Sequence, residues 1–192
     1  MDIVLNPAQV GLIVRGKQNE QHSPGVLAQH ADCILSTGEP IGFFGGDPAY
    51  SGGSASGSVN RSGLNLTGFV ADYNKLLQIR PYYVNATMAK SYGVISGVLI
   101  VDTDAAKAKA FDAFWKSLRN APGSFSIMGK NCSTRASKAF YTAKITDRGI
   151  PGLDTPNNLY LQIKRCAPSC TSYFGHVGFT KRSDGRFDLQ VL

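Results

Sequence analysis

The stretch Gly129-Lys130-Asn131-Cys132-Ser133-Thr134-Arg135-Ala136-Ser137-Lys138-Ala139-Phe140 decides how this chain is read. Gly129 opens a turn. From Cys132 onward Ala136, Ala139, Phe140 and Ala143 recur at helical spacing, which predicts a helix with that face buried. Cys132 then stands at a helix amino terminus, where peptide dipoles and unpaired N–H groups favour thiolate over thiol and can hold an oxyanion. Position alone divides evenly between such a nucleophile and a small residue that packs the helix start.

Upstream of this segment, Asp104 caps a predicted helix whose Ala108, Phe111, Phe114, Trp115 and Leu118 form one apolar stripe, ended by Asn120 and Pro122-Gly123. Gly93 to Val101 reads as a buried central strand, and Ala71 to Ile79 as a short helix stopped by Pro81. Earlier still, Val10 to Arg15, Ala31 to Leu35 and Ile41 to Phe44 read as strands, the last two joined by the turn Ser36-Thr37-Gly38-Glu39. Downstream, Thr155-Pro156 starts a helix through about Ile163. Tyr173 to Thr180 and Arg186 to Val191 form an expected hairpin turned by Ser183-Asp184-Gly185. Residues 45–63 are rich in glycine and serine and are expected to form a loop over one face. Mixed elements with no repeats point to one α+β domain spanning 1–192, with a mostly antiparallel sheet and helices packed on one side.

The chain has 192 residues, and its 20 Lys plus Arg against 13 Asp plus Glu give a formal charge of +7. That excess favours anionic partners, but it is diffuse and not interleaved with aromatic residues, which argues against nucleic acid. No segment approaches a membrane span, so stable membrane insertion is not expected. The amino terminus MDIVLNPAQVGLIVRG does not read as a secretory signal, so synthesis in the cytoplasm is expected. Cys33, Cys132, Cys166 and Cys170 match no paired metal-binding spacing, and neither a metal nor a cofactor is expected. Cys166 and Cys170 are compatible with a small disulfide in an oxidising compartment, or with two free thiols in a loop.

Asn131-Cys132 after the Gly129 turn resembles the nucleophile turn of permuted NlpC-type peptidases and of lecithin:retinol acyltransferase-like proteins. In these papain-like relatives the histidine strand precedes the cysteine helix. The segments His30-Ala31-Asp32-Cys33-Ile34-Leu35 and Pro40-Ile41-Gly42-Phe43-Phe44-Gly45 resemble that strand and its partner. The resemblance implies a papain-like fold with Cys132 as nucleophile and His30 as general base. The family's third polar group, on the next strand, is not evident: the position opposite His30 falls near Gly45. Asp47, two residues on, is the candidate orienter, while Asp32 shares the face of His30 on its own strand. Gly175-His176-Val177-Gly178-Phe179 resembles the histidine strand of the unpermuted order, with Asp188 as its orienter, so His176 competes with His30. Cys33 reads as core and His22 as surface.

The function expected from the resemblance is hydrolysis of amide bonds in peptidoglycan peptides by a thiol hydrolase. Without a signal, such an enzyme implies delivery to a target-cell periplasm by a type VI secretion apparatus, as a toxin with an immunity protein. The alternatives are a papain-like acyltransferase, lipid hydrolase or protein deamidase, and a non-catalytic binding module in which Cys132 and His30 are remnants.

Overall fold

Strands whose apolar residues run without alternation need cover on both faces, and this chain supplies it. The computed structural model describes residues 1–25, 29–46, 66–126, 129–147, 155–167 and 169–192. Strand β1 (Asp2–Val4) is followed by β2 (Gln9–Arg15), β3 (His30–Ile34), β4 (Pro40–Gly45) and β5 (Leu66–Ala71). Then come α1 (Tyr73–Ile79), a 3-10 turn at Pro81–Tyr83, α2 (Ala86–Ser91), β6 (Ser96–Asp102) and α3 (Ala105–Asn120). The short β7 (Ser124–Phe125) leads to α4 (Cys132–Thr142) and α5 (Pro156–Cys166), and β8 (Cys170–Gly175), β9 (Val177–Lys181) and β10 (Phe187–Val191) follow.

One sheet has the order β7-β5-β4-β3-β2-β6-β8 and a second has β1-β10-β9. Every strand pairing among the described residues is antiparallel. Val10, Leu12 and Val14 of β2, with Leu99 and Val101 of β6, share one core with α3, α4 and α5. Ile13, Val98 and Ile100 share the other with Leu76, Tyr83 and the small sheet's Phe179, Phe187 and Leu189. The architecture is therefore α+β and mostly antiparallel. The three longest helices lie on one side as expected, but α1 sends Leu76 into the opposite layer, where it packs with Val177, Phe179, Phe187 and Leu189 of the small sheet.

Local chemistry explains where the helices begin. Asp104 accepts from the Lys107 N–H, Thr155 from Asn158, Asp72 from Lys75 and Asn131 from Thr134, each satisfying an amide that the first helical turn leaves without an internal partner. Ala108, Phe111, Trp115 and Leu118 bury the stripe of α3, while Phe114 packs at its margin. The expected carboxy-terminal hairpin is corrected in one respect. Its first arm is two strands, because β8 pairs with β6 in the large sheet and β9 with β10 in the small one. The crossing is at His176, whose backbone N–H and carbonyl pair with Leu192.

Lys17 is also unlike its polar surroundings, being 1% exposed. Burial of an ammonium requires partners for its donors, and Nζ donates to the carbonyls of Glu20 at 3.1 Å and His22 at 2.8 Å and to Asn157 Oδ1 at 2.9 Å. His22, half-buried rather than on the surface, thereby helps tie this loop to α5. Cys33 is buried in the core as expected.

The turn between β3 and β4 locks the two sheets together. Gly38 has φ +85°, and a Cβ there would meet the Phe187 carbonyl oxygen at 2.1 Å. Next to it, the Phe187 N–H donates to the Thr37 carbonyl at 2.9 Å. Gly38→Ala is therefore expected to cost about 1–2 kcal/mol for the left-handed backbone alone, with the clash added. A urea midpoint equal to that of wild type would contradict this account.

Candidate active site

The site forms where β3 begins. His30 and Asp32 are two residues apart on one face, the spacing at which strand side chains become neighbours. His30 Nε2 lies 2.9 Å from Asp32 Oδ1. Asp32 is fully buried, and its second oxygen accepts from Arg15 Nε at 2.8 Å. Gly42 is directly opposite Asp32 on β4, and a Cβ at Gly42 would sit 2.1 Å from Oδ1, so only glycine leaves room for the carboxylate. Continuing this register, Phe44 faces His30, and the rings stack with centroids 4.3 Å apart. The position opposite His30 is thus Phe44, one residue before the Gly45 expected from the turn.

Cys132 belongs to the other layer, yet it meets His30. The contact is possible because His30 is the first residue of β3, where the strand no longer separates the two layers. Asn131 caps α4 and Thr134 caps back, a reciprocal arrangement that fixes the orientation of the turn carrying Cys132. The groups that act on the thiol are His30, the Ala31 backbone and Ser133, whose Oγ lies 3.9 Å from Sγ. Since Nε2 is committed to Asp32, Nδ1 is the imidazole nitrogen left for sulfur. The Cys132 N–H and its neighbours in the first turn of α4 have no acceptor within the helix.

The ionisation of each group follows from its neighbours. Burial would raise the Cys132 thiol, but the charge of His30 and the hydrogen bonds from His30, Ala31 and Ser133 outweigh it and lower the pKa below its ordinary 9.0. For His30, burial opposes the charged ring, whereas the charges on Cys132 and Asp32 and hydrogen bonds to both raise it from 6.5 to about 9. Asp32 is buried too, and the charges on His30 and Arg15 hold it below 3.8. The set favours a thiolate–imidazolium pair with a carboxylate behind it. Cys33 differs: burial and the Asp32 charge push its thiol well above 9.0.

These directions set a pH window. The thiolate is lost as pH falls through the lowered value of Cys132, and the imidazolium is lost as pH rises through about 9. Alkylation of Cys132 by iodoacetamide, followed by peptide mass, is expected to proceed at neutral pH about tenfold faster in wild type than in His30→Ala, as an adjacent cation shifts a thiol by at least one pKa unit. Equal rates would contradict the ion pair. Peptide resolution matters here because Cys166 is exposed and will also react.

The other expected site residues are placed elsewhere. Asp47 lies outside the described residues, as does most of the 45–63 loop, and the carboxylate that meets His30 is Asp32. His176 follows Gly175, which is aligned through Ser96 and Arg15 with His30 across β8, β6, β2 and β3. Three strand spacings, about 14 Å, therefore separate the two histidines. His176 Nδ1 instead lies 3.0 Å from the Val94 carbonyl, and Asp188 is held by Arg182 at 3.6 Å. Cys166 and Cys170 are both free thiols. Among the described residues no group of three or more His, Cys, Asp or Glu side chains is placed to hold a metal ion, and no helix is long and apolar enough to cross a membrane.

Arg15, the last residue of the strand expected over Val10 to Arg15, joins this set, and a His-x-Asp alternation beside a strand that ends in Arg is the one sequence signal for it. Fold and side chains together define an α+β protein with a buried Cys–His–Asp constellation at the junction of a helix start and a strand start. Comparison with protein-family models, curated proteins and solved structures gives no match to this chain.

Proposed function

We propose that this protein is a cysteine hydrolase with a papain-like, permuted NlpC-type arrangement, acting on amide bonds in peptidoglycan peptides. The observation that carries the reading is the contact of Cys132, at the amino end of α4, with a His30 that Asp32 holds from behind. In this reading the Cys132 thiolate attacks the amide carbon, and the oxyanion is held by first-turn amides of α4. The tetrahedral intermediate collapses as the C–N bond breaks, and the His30 imidazolium gives its proton to the leaving amine. A thioester remains on Cys132. Neutral His30 then takes a proton from water, whose oxygen attacks the thioester, and the acid departs as the thiolate and imidazolium are restored.

Asp32 orients the ring throughout and stabilises its charged form, the part expected of Asp47 from the resemblance. The histidine strand precedes the cysteine helix in the chain, which is the order of the permuted relatives. The formal charge of +7 suits an anionic wall polymer. Action in a target-cell periplasm as a type VI effector toxin, countered by an immunity protein, is part of the same proposal.

The test is digestion of purified peptidoglycan with the released muropeptides identified by mass. Peptide-bond cleavage that disappears in Cys132→Ala supports the reading. A wild-type protein that releases nothing while a control amidase does so overturns the wall substrate, and transfers the question to lipid esters and protein amides.

A further inference from the structure

The mechanism above makes no use of Arg15, which is nevertheless part of the buried network. Its side chain is 3% exposed. Nε donates to Asp32 at 2.8 Å, Nη2 to the Tyr83 carbonyl at 3.0 Å, and the guanidinium lies 4.3 Å from the Tyr83 ring centroid. Nη1 is buried without a hydrogen-bond partner. A buried ion pair often adds little net stability over apolar residues of the same volume, and a buried unpaired N–H adds cost. Packing therefore does not account for an arginine here.

We propose that Arg15 is a positioning residue of the site: its charge balances the Asp32 carboxylate, so that the proton of Cys132 can reside on His30. With the proton transferred, Arg15 and His30 are positive and Asp32 and Cys132 negative, and the buried set is neutral. Without the guanidinium the same set carries one net negative charge in a low dielectric, which it relieves by keeping a proton on sulfur.

The groups around the set are neutral apart from one arginine. Tyr83, on the 3-10 turn, is pushed up to about 12 by burial and stays neutral. Arg80 packs against the rings of Tyr83 and Phe44, its guanidinium 5.4 and 5.3 Å from their centroids, with Nη1 3.4 Å from the Tyr83 hydroxyl. On β6, Ser96 faces Arg15, and on β4, Gly42 and Phe44 face Asp32 and His30, all without charge. Cys33 belongs to the opposite core with α3 and α4.

The inference rests on the reading of Cys132 and His30 as a reactive pair, and its test needs no substrate. The pH dependence of iodoacetamide alkylation at Cys132 is measured for wild type, Arg15→Gln and Arg15→Lys, and for Asp32→Asn with and without Arg15→Gln. Glutamine keeps donors for Asp32 and Tyr83 but removes the charge. Its acid limb is expected to move up by about one pH unit, a tenfold loss of thiolate at a fixed pH on that limb. Arg15→Lys is expected to restore most of the limb, and the shift is expected to vanish when Asp32 is already asparagine, where the set lacks the charge that Arg15 balances. An Arg15→Gln limb identical to wild type overturns the proposal, as does a shift of the same size in the Asp32→Asn background. Should Arg15→Gln alone fail to fold, the Asp32→Asn pair still decides, since a limb that moves up by about one pH unit when Arg15 is removed from that background, where it has no carboxylate to balance, overturns the proposal. If wild type itself shows no lowered thiol, the reactive-pair reading fails first, and the Arg15 proposal falls with it.

Discussion

Cleavage of muropeptide amides is expected to fall by about a thousandfold or more in His30→Ala at neutral pH, because the change removes both the proton acceptor and the cation that sustains the thiolate. Cys132→Ala is expected to abolish it, since the neighbouring Ser133 hydroxyl, 3.9 Å from Sγ, lacks the acidity of the thiol. His176→Ala is the informative control. His176 is three strands away and bonded to the Val94 carbonyl, so its loss should leave turnover near wild type. Loss of cleavage in His176→Ala with retention in His30→Ala would reverse the assignment of the base. Equal retention in both would remove histidine catalysis altogether. The comparison is read from released muropeptides under conditions where each variant is folded by circular dichroism.

The second large effect is on stability. Asp32→Ala leaves the Arg15 guanidinium buried opposite a hole, and breaking a buried pair on one side costs about 3–5 kcal/mol. Asp32→Asn keeps the volume and an acceptor, so a smaller loss is expected. Urea denaturation measures both. An Asp32→Ala midpoint close to wild type would mean that the carboxylate does not hold Arg15 in solution. The sign of the pH dependence follows from the direction of the shift. Because Asp32 is lowered in the fold from 3.8, its contribution is present above that value and is lost as pH falls through the folded value. His30 is raised, so the stabilisation from its charge is complete below 6.5 and is lost as pH climbs through about 9. The two losses bracket the range in which the buried set is both folded and ionised.

Much of the fold could be read locally. The strands at β2, β3 and β4, the Gly38 turn, the caps at Asp104 and Thr155 and the start of α4 all depend on residues within a few positions of one another, and each was placed to within about two residues. The places of Cys132 at a helix start and His30 at a strand start are local properties, while their pairing was expected from the resemblance, since position alone divides evenly between a nucleophile and a packing residue. The hairpin register was missed by one residue, which put Gly45 where Phe44 stands. That error matters because strand side chains alternate, so a slip of one exchanges a polar face for an apolar one. With Gly45 opposite His30, Asp47 falls on the facing side, whereas with Phe44 there the carboxylate beside His30 is Asp32.

By itself the sequence determined the α+β class, the strands β2, β3, β4 and β6 and the helices α1, α3, α4 and α5, because periodicity, capping and turn chemistry act over short distances. Only the tertiary structure decided which histidine meets Cys132, which carboxylate stands behind it, and that Arg15 closes the network from the neighbouring strand. It also decided that Lys17 is buried and that the chain changes sheets at His176. These depend on strand order and register, which bring residues far apart in sequence into hydrogen-bond range and are set by the packing of the whole chain.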